Sequence, residues 1–123
     1  MKKIVIINYG CGNILSLKRA LKEIGYESSL SNKNDDIISA DFVILPGVGA
    51  FQNAIELLNK YKLTKTIKDY VALKKPLLGI CLGMQILFSK GYEMGSHTGL
   101  NFIEGKVDKI DKHLKNKKIK IPH

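Results

Sequence analysis

The chain has 123 residues, a hydrophobic fraction of 45% and a formal net charge of +9. This length allows one domain built around a single hydrophobic core. No apolar run approaches the roughly 20 residues that a membrane-spanning helix needs, and no charged leader precedes the first predicted strand. We therefore expect a cytoplasmic protein with no membrane partner.

Lysines near the C-terminal end supply much of the positive charge, which bears on whether the chain binds nucleic acid. Few aromatic residues that would stack on bases lie near these lysines, and Arg19 is the only arginine in the sequence. Such a run of lysines is typical of a solvated or partner-facing edge. Nucleic-acid binding is therefore not expected.

The two cysteines, Cys11 and Cys81, stand far apart in the sequence. Without a secretory signal, this spacing argues against a disulfide framework, and neither cysteine belongs to a cluster with metal-ligand spacing. We therefore expect no metal and no cofactor. Cys81 is left free for chemistry.

The first half of the chain begins with a strand, a turn and a helix. Continuous β-branched apolar residues predict a buried strand of a parallel sheet that is covered on both faces. Apolar residues at helical spacing then predict a helix that ends at Gly25. In chain order, the predicted elements are a strand at 3–8, a small-residue turn at 9–13, a helix at 15–24, a short strand at 26–30, a polar loop at 31–36 and a buried strand at 42–45.

The second half of the chain adds helices, a further buried strand and an edge strand. Its predicted elements are a glycine turn at 46–49, helices at 50–58 and 63–73, a buried strand at 77–80, a helix at 82–88, a loop at 91–99 and an edge strand or hairpin arm at 102–110. This order predicts an α/β domain with an open, mostly parallel sheet and helices on both faces.

Residues 76–85 carry the strongest chemical signal. Gly79 and Gly83 flank Cys81 where the predicted strand passes into the predicted helix, and a sharp turn needs glycines because its tight geometry excludes a Cβ. Such a turn lifts the cysteine out of the sheet at a helix N-terminus, where N–H groups favour the thiolate. Cys81 is the candidate nucleophile. Glycines that serve packing alone are the alternative explanation.

The turn at 46–49, Pro-Gly-Val-Gly, follows another predicted parallel strand. Open α/β sheets place ligand sites at the carboxyl ends of their strands. The backbone N–H groups of this turn can therefore point at the space in front of Cys81, as an oxyanion hole requires.

Three segments together resemble the class I, or triad, glutamine amidotransferases. They are residues 76–85, the turn at 46–49 and the pattern Asn-Tyr-Gly-x-Gly-Asn-x-x-Ser at 8–16. The N-terminal pattern and the final Ile-Pro-His resemble more closely the glutaminase subunits of imidazole glycerol phosphate synthase, which serve histidine biosynthesis. The resemblance runs from Lys3 to His123 and implies a flavodoxin-like α/β fold.

The resemblance implies a role for each site residue. Cys81 would attack the side-chain amide of glutamine and form a glutamyl thioester with release of ammonia. Gln85, one helical turn further on, and Glu93, in the following loop, would hold the substrate. A solvent-facing glutamine and an exposed loop acid are the alternatives for these two. The N–H groups that would stabilise the oxyanion belong to Gly47, Val48, Gly49 and Leu82.

The resemblance also implies a protein partner, a synthase subunit with a (β/α)8 barrel that receives the ammonia. Asn8, Tyr9 and Asn13 are candidates for this interface or for coupling to the site, although Asn13 suits a helix N-cap equally well. His123 resembles a family segment near the same interface.

The chain departs from the family at the proton-transfer groups. A cysteine nucleophile needs a base and the leaving ammonia needs an acid, and the family uses a His-x-Glu pair for both. None of the three histidines, His97, His113 and His123, is followed two residues later by glutamate. We therefore expect an incomplete domain over residues 1–123, truncated at its C-terminus and without glutaminase turnover. We also expect marginal stability, because a truncated sheet leaves an apolar edge unpaired.

Three other functions stay open. In the first, the chain is a glutaminase partner of a sugar amidotransferase of surface-polysaccharide synthesis, since close relatives of the resembled family serve such partners. A non-catalytic interaction protein of the same architecture would explain the absent His-x-Glu pair. A cysteine hydrolase of a related α/β class is the weakest of the three, because no histidine motif supports it.

Overall fold

The computed structural model describes residues 1–115, 118 and 120–121. Pro122 and His123, which belong to the predicted interface segment, lie outside the described residues. The elements in chain order are β1 (Ile4–Ile7), α1 (Ile14–Glu23), β2 (Ser29–Ser31), α2 (Asn34–Ile38), β3 (Phe42–Leu45), α3 (Phe51–Lys60), α4 (Leu63–Ala72), β4 (Leu77–Gly79), α5 (Leu82–Gln85), β5 (Phe88–Gly91), β6 (His97–Thr98), β7 (Ile103–Val107) and a 3-10 helix (Ile110–His113).

A four-stranded parallel sheet with the order β2-β1-β3-β4 forms the centre of the fold. Val5 of β1 pairs with Ser29 on one side and Val43 on the other, and Val43 pairs in turn with Leu77. The strand order reverses between β1 and β3, so the loops after these strands diverge and leave a crevice at the carboxyl edge. The predicted open, parallel sheet is confirmed.

The main hydrophobic core lies between one face of this sheet and helices α3 and α4. Alternate strand residues such as Val5 and Val43 point to this face, where they meet Leu58 and Ile67, and all four are fully buried. Burial of each such side chain contributes about 1.5–3 kcal/mol to folding. The helices predicted at 50–58 and 63–73 are confirmed as α3 and α4.

Helix α1 lies against the opposite face and covers it incompletely. None of its residues is buried. A groove of about 510 Å³ lies at this face, lined by Leu21 and Ile24 on the helix side and by Phe42 and Leu78 on the strand side. Helices therefore lie on both faces, as predicted, but among the described residues the α1 face keeps an open apolar groove.

A second sheet, with the order β6-β5-β7, follows the cysteine region. The predicted helix over 82–88 is wrong beyond Gln85, because α5 ends there and Phe88 begins β5. The N–H of Phe102 donates to the carbonyl oxygen of Leu87 at 2.8 Å, and that of Asn101 donates to Phe88 at 3.2 Å. These carbonyls therefore pair with a later segment instead of continuing a helix.

The segment after β5 also differs in part from its prediction. The loop predicted at 91–99 contains the short strand β6, which pairs antiparallel with β5. The edge strand predicted at 102–110 is confirmed as β7 (Ile103–Val107), at the edge of the second sheet. It pairs parallel with β5, so it is not a hairpin arm.

Two predicted elements near β2 are shifted. The short strand predicted at 26–30 forms instead at Ser29–Ser31, and the predicted polar loop at 31–36 is wrong from Asn34, where α2 begins. Two aspartates occupy the first turn of α2, where negative charge is favourable, and Ile37 is fully buried against the core. The polar first turn of this short helix has the composition of a loop, which explains the error.

Candidate active site

Cys81 lies in the cysteine turn (residues 79–83), between β4 and α5, and is exposed. Its backbone has φ of 57° and ψ of −120°, a conformation that L-residues rarely adopt. Such a conformation costs on the order of 1–3 kcal/mol and persists only where its surroundings enforce it. A strand-to-helix turn that presents a nucleophile has this form. The predicted position of Cys81 at the hinge is confirmed.

Close backbone approaches enforce the cysteine turn. A Cβ on Gly83 would overlap the carbonyl oxygen of Leu45, the last residue of β3. A Cβ on Gly79 would lie 2.7 Å from the Cα of Met84, and one on Gly47 would lie 2.8 Å from the amide nitrogen of Gly83. The glycines are therefore required by packing, and that packing holds the cysteine turn against the end of β3.

The turn at residues 46–49 is held by the loop that follows β1. The hydroxyl of Tyr9 donates to the carbonyl oxygen of Pro46 at 2.6 Å. Burial raises the pKa of Tyr9 well above its usual value, and the neighbouring Cys11 raises it further, so the hydroxyl stays protonated. The Sγ of Cys11 donates to the carbonyl oxygen of Val48 at 3.0 Å and accepts from its N–H at 3.4 Å.

The residues predicted to form the oxyanion hole lie side by side, but two of their N–H groups have other partners. The N–H of Leu82 donates to the carbonyl oxygen of Gly47 at 3.2 Å. The N–H of Val48 faces Cys11. Gly49 has φ of +93°, which glycine adopts without strain. The N–H groups of Leu82 and Val48 are therefore already hydrogen-bonded in this structure and do not face one point in front of Cys81.

Gln85 and Glu93 line one cavity of about 200 Å³. One carboxylate oxygen of Glu93 accepts from the N–H of Phe51 at 3.4 Å, at the start of α3, where a negative charge contributes about 0.3–1 kcal/mol. Among the described residues, Cys81 is not part of this lining, and it stands one helical turn before Gln85. The remaining lining residues are Gly91, Tyr92, Val107, Asp108 and Lys109.

His97 is the histidine whose side chain the structure describes. The Nε2 of His97 lies 3.3 Å from the carbonyl oxygen of Met94, within its own loop. His113 ends the 3-10 helix, and its side chain, like all of His123, lies outside what the structure describes. Among the described contacts, none joins an imidazole to Cys81.

The polar residues predicted for an interface follow β1. The N–H of Asn8 donates to the carbonyl oxygen of Ser31 at 2.9 Å and extends the pairing of β1 with β2. Asn13 occupies the N-cap position of α1, but its side chain makes no capping hydrogen bond. Tyr9 is the member of this group that reaches the candidate site, through its bond to the 46–49 turn.

Sequence reasoning missed Cys11, which contacts the 46–49 turn. The available signal was topological. Tyr9 and Cys11 are two residues apart at the end of β1, and β1 neighbours β3 in the sheet, so side chains after one strand reach the turn after the other. Recognising this requires the strand order, which residue patterns alone did not provide.

Among the described residues, no helix is long and apolar enough to cross a membrane. The same part of the chain holds no group of three or more His, Cys, Asp or Glu side chains arranged to bind a metal ion.

The fold and the cysteine turn agree with the class that the sequence resembles. A parallel sheet of flavodoxin-like strand order, with a strained cysteine at the end of one strand and a glycine turn at the end of the next, fits the class I glutamine amidotransferases. The sequence model of the CobB/CobQ-like glutamine amidotransferase domain matches residues 1–121. The chain belongs to this family.

Curated relatives are similar over nearly the whole chain. An imidazole glycerol phosphate synthase subunit HisH from Lactococcus lactis is 46% identical over 123 residues, which is 100% of this chain and 58% of the relative. The protein of the same name from Carboxydothermus hydrogenoformans is 43% identical over 97% of this chain and 57% of its own length. The chain therefore spans a little over half the length of these relatives.

Solved structures support the fold. A structure described as a glutamine amidotransferase superposes with a TM-score of 0.71 at 23% identity, covering 85% of this chain and 55% of that protein. A putative peptidase E protein from Listeria monocytogenes gives a TM-score of 0.60 at 18% identity over 72% of this chain and 50% of its own. At these identities the likeness concerns architecture alone.

Proposed function

We propose that this chain is the glutamine-binding, nucleophile-bearing part of a glutaminase subunit that supplies ammonia to imidazole glycerol phosphate synthase. The observation that carries the proposal is the strained, exposed Cys81 at the end of β4, packed against the 46–49 turn. Identities of 46% and 43% to proteins named HisH support the same substrate and pathway. A cytoplasmic location is part of the proposal.

The proposed chemistry begins at the Cys81 thiolate. The sulfur attacks the side-chain amide carbon of glutamine, and the carbonyl oxygen becomes an oxyanion. Collapse of this intermediate breaks the C–N bond, releases ammonia after protonation and leaves a glutamyl thioester, which water hydrolyses to glutamate. Each N–H aimed at the oxyanion is worth about 3 kcal/mol of barrier. Leu82 and Val48 can serve as donors once the peptide after Gly47 has rotated.

Gln85 and Glu93 are proposed to recognise the amino-acid end of the substrate. They line the same cavity, and Gln85 stands one helical turn after the nucleophile. A carboxylate suits the α-ammonium of glutamine, and an amide suits either end of the α-amino acid. Because one oxygen of Glu93 already meets the start of α3, the same contact holds the carboxylate in place.

The 123-residue chain is proposed to lack sustained turnover. The attacking thiol must lose a proton and the leaving nitrogen must gain one, and residues 1–123 contain no His-x-Glu pair for these transfers. A positioned acid–base group typically contributes about 100-fold or more to rate. Glutamate release should therefore stay at background, even with the synthase barrel subunit added. Sustained release that depends on Cys81 would contradict this part of the proposal.

The protein partner is proposed to be the barrel subunit of the synthase, as the relatives' name suggests for those proteins. Ammonia would pass from the carboxyl edge of the sheet to that subunit. Co-purification of the two chains tests this step separately from chemistry. Retention of the barrel subunit on the tagged chain is the expected result, and its absence under low salt would count against the partner.

Covalent labelling tests the glutamine site without requiring turnover. A chloroketone analogue of L-glutamine should modify Cys81 with a saturable rate, measured by peptide mass spectrometry, and should leave the buried Cys11 largely unmodified. Glu93→Gln should raise the half-saturating concentration about ten- to hundredfold, since a hydrogen bond to a charged group is worth about 1.5–3 kcal/mol. Equal labelling of the two cysteines, without saturation, would overturn the proposed site.

A further inference from the structure

Cys11 is the one side chain that the structure bonds to both backbone groups of Val48. Its thiol donates to the Val48 carbonyl oxygen at 3.0 Å, and its sulfur accepts from the Val48 N–H at 3.4 Å. Cys11 is 7% exposed and Val48 is 54% exposed, so these bonds are partly buried. Cys11 lies on the loop after β1, whereas Val48 belongs to the turn after β3. The thiol thus joins the two loops on either side of the crevice.

The same contacts determine where the Val48 N–H points. The carbonyl oxygens of Pro46, Gly47 and Val48 accept in turn from the Tyr9 hydroxyl, the Leu82 N–H and the Cys11 thiol. The turn is therefore held by hydrogen bonds at three consecutive carbonyls, and the N–H of Val48 donates to the sulfur of Cys11. An oxyanion above Cys81 would have to draw that N–H away from Cys11.

A hydrogen bond to the Cys11 sulfur is easily broken when the Val48 N–H has to turn towards an oxyanion. A thiol is a weak donor and a weak acceptor, whereas a hydroxyl bonds more strongly in both senses. The energy lost when the Val48 N–H leaves Cys11 is therefore small. A serine at this position would hold Val48 more firmly, and a side chain without a hydrogen-bonding group would leave Val48 without this bond.

We propose that Cys11 is a positioning residue, which holds the 46–49 turn with the Val48 N–H directed away from the oxyanion and so limits the reactivity of Cys81 towards glutamine-like carbonyls. This inference rests on the proposed function. It assigns Cys11 a restraining role that acts through Val48, and it gives the thiol no contact with the substrate.

Three substitutions separate hydrogen bonding from packing. Cys11→Val removes both hydrogen bonds and fills the space, because valine is slightly larger than cysteine. Cys11→Ala removes both the bonds and the volume, and Cys11→Ser keeps a donor and an acceptor. Urea unfolding monitored by circular dichroism is the control that tests whether each variant is folded. If Cys11→Ala does not fold, Cys11→Val carries the test, because it leaves no cavity.

Labelling of Cys81 by the chloroketone analogue of L-glutamine provides the readout, because the thiolate adds to the ketone and forms an oxyanion. Cys11→Val and Cys11→Ala should raise the maximal labelling rate about two- to tenfold, as expected for loss of one hydrogen bond, without changing the half-saturating concentration. Cys11→Ser should label at the wild-type rate or more slowly. Iodoacetamide, which reacts without an oxyanion, should label all four proteins equally.

The outcomes distinguish this inference from the function on which it rests. If labelling saturates in every variant but Cys11→Val and Cys11→Ala react no faster than wild type, Cys11 only packs and the inference is overturned. If both reagents accelerate together, the substitutions merely expose Cys81, which also overturns it. If the wild-type chain shows no saturation, the proposed glutamine site fails and the role of Cys11 falls with it.

Discussion

Replacement of Gly83 by alanine tests the packing that presents Cys81. The added Cβ would overlap the carbonyl oxygen of Leu45 and would lie 2.8 Å from its carbonyl carbon, whereas ordinary Cβ contacts begin at 3.4 Å. Leu45 belongs to β3, which is hydrogen-bonded between β1 and β4. The clash is therefore between two backbones, and no side chain can move to relieve it.

The expected cost of Gly83→Ala is at the upper end of the range for overpacking, about 3 kcal/mol. Urea unfolding followed by circular dichroism measures it. The shift should also disturb the cysteine turn, so labelling of Cys81 by the glutamine-like chloroketone should fall in the fraction that remains folded. Gly25→Ala is the matched control, since its Cβ meets nothing within 4 Å and its φ of +92° alone should cost about 1–2 kcal/mol.

The comparison between the two alanine variants decides the outcome. If Gly83→Ala unfolds at the same urea concentration as Gly25→Ala and still labels at the wild-type rate, the cysteine turn is not packed against β3 as described. A Gly83→Ala variant that is unfolded even without urea would also agree with the described packing, because a loss of about 3 kcal/mol is a large share of the stability of a marginal domain.

Three further predictions concern the Tyr9 hydroxyl, the Asp41 carboxyl group and the apolar groove beside α1. Tyr9→Phe leaves a buried carbonyl unpaired and should cost about 1–3 kcal/mol in urea unfolding, whereas Tyr61→Phe, at an exposed position, should change it by less than about 0.5 kcal/mol. The backbone N–H of Lys3 lowers the pKa of Asp41 in the folded state. The ionised carboxylate therefore stabilises the fold fully above the ordinary carboxyl pKa of about 4, and this stabilisation is lost as the pH falls through the lowered folded pKa. Asp41→Asn should therefore lower the melting temperature at neutral pH but not in strong acid, and a pH-independent difference would contradict this. Leu78→Lys, in the apolar groove, should reduce the fluorescence of a bound hydrophobic dye, and Leu73→Lys, exposed outside the groove, should not.

The sequence predicted the central sheet well because its strands are defined locally. β1 and β3 are continuous apolar runs, and both faces of each are covered or lined by helices. One prediction failed because pairing with distant residues decided the structure. Residues 86–88 leave the helical path because their carbonyls accept from residues 100–103, a contact that periodicity does not reveal.

The candidate site was predictable only in part. The glycines around Cys81 and in the 46–49 turn indicated two tight turns at one sheet edge, and the structure brings these turns together. The direction of the Gly47 carbonyl, and with it the occupation of the Leu82 N–H, depends on the rotation of a single peptide. Glycine permits both directions, so the residue pattern carries no information about which one is adopted.

Protection of Cys81 by glutamine tests the central claim most directly. Iodoacetamide alkylation of Cys81 is followed by mass spectrometry with increasing L-glutamine, with D-glutamine and L-glutamate as controls. If Cys81 belongs to a glutamine site, L-glutamine should slow its alkylation in a saturable manner, and the two controls should do so far less. Alkylation that is unaffected by L-glutamine, or slowed equally by all three, would contradict the account.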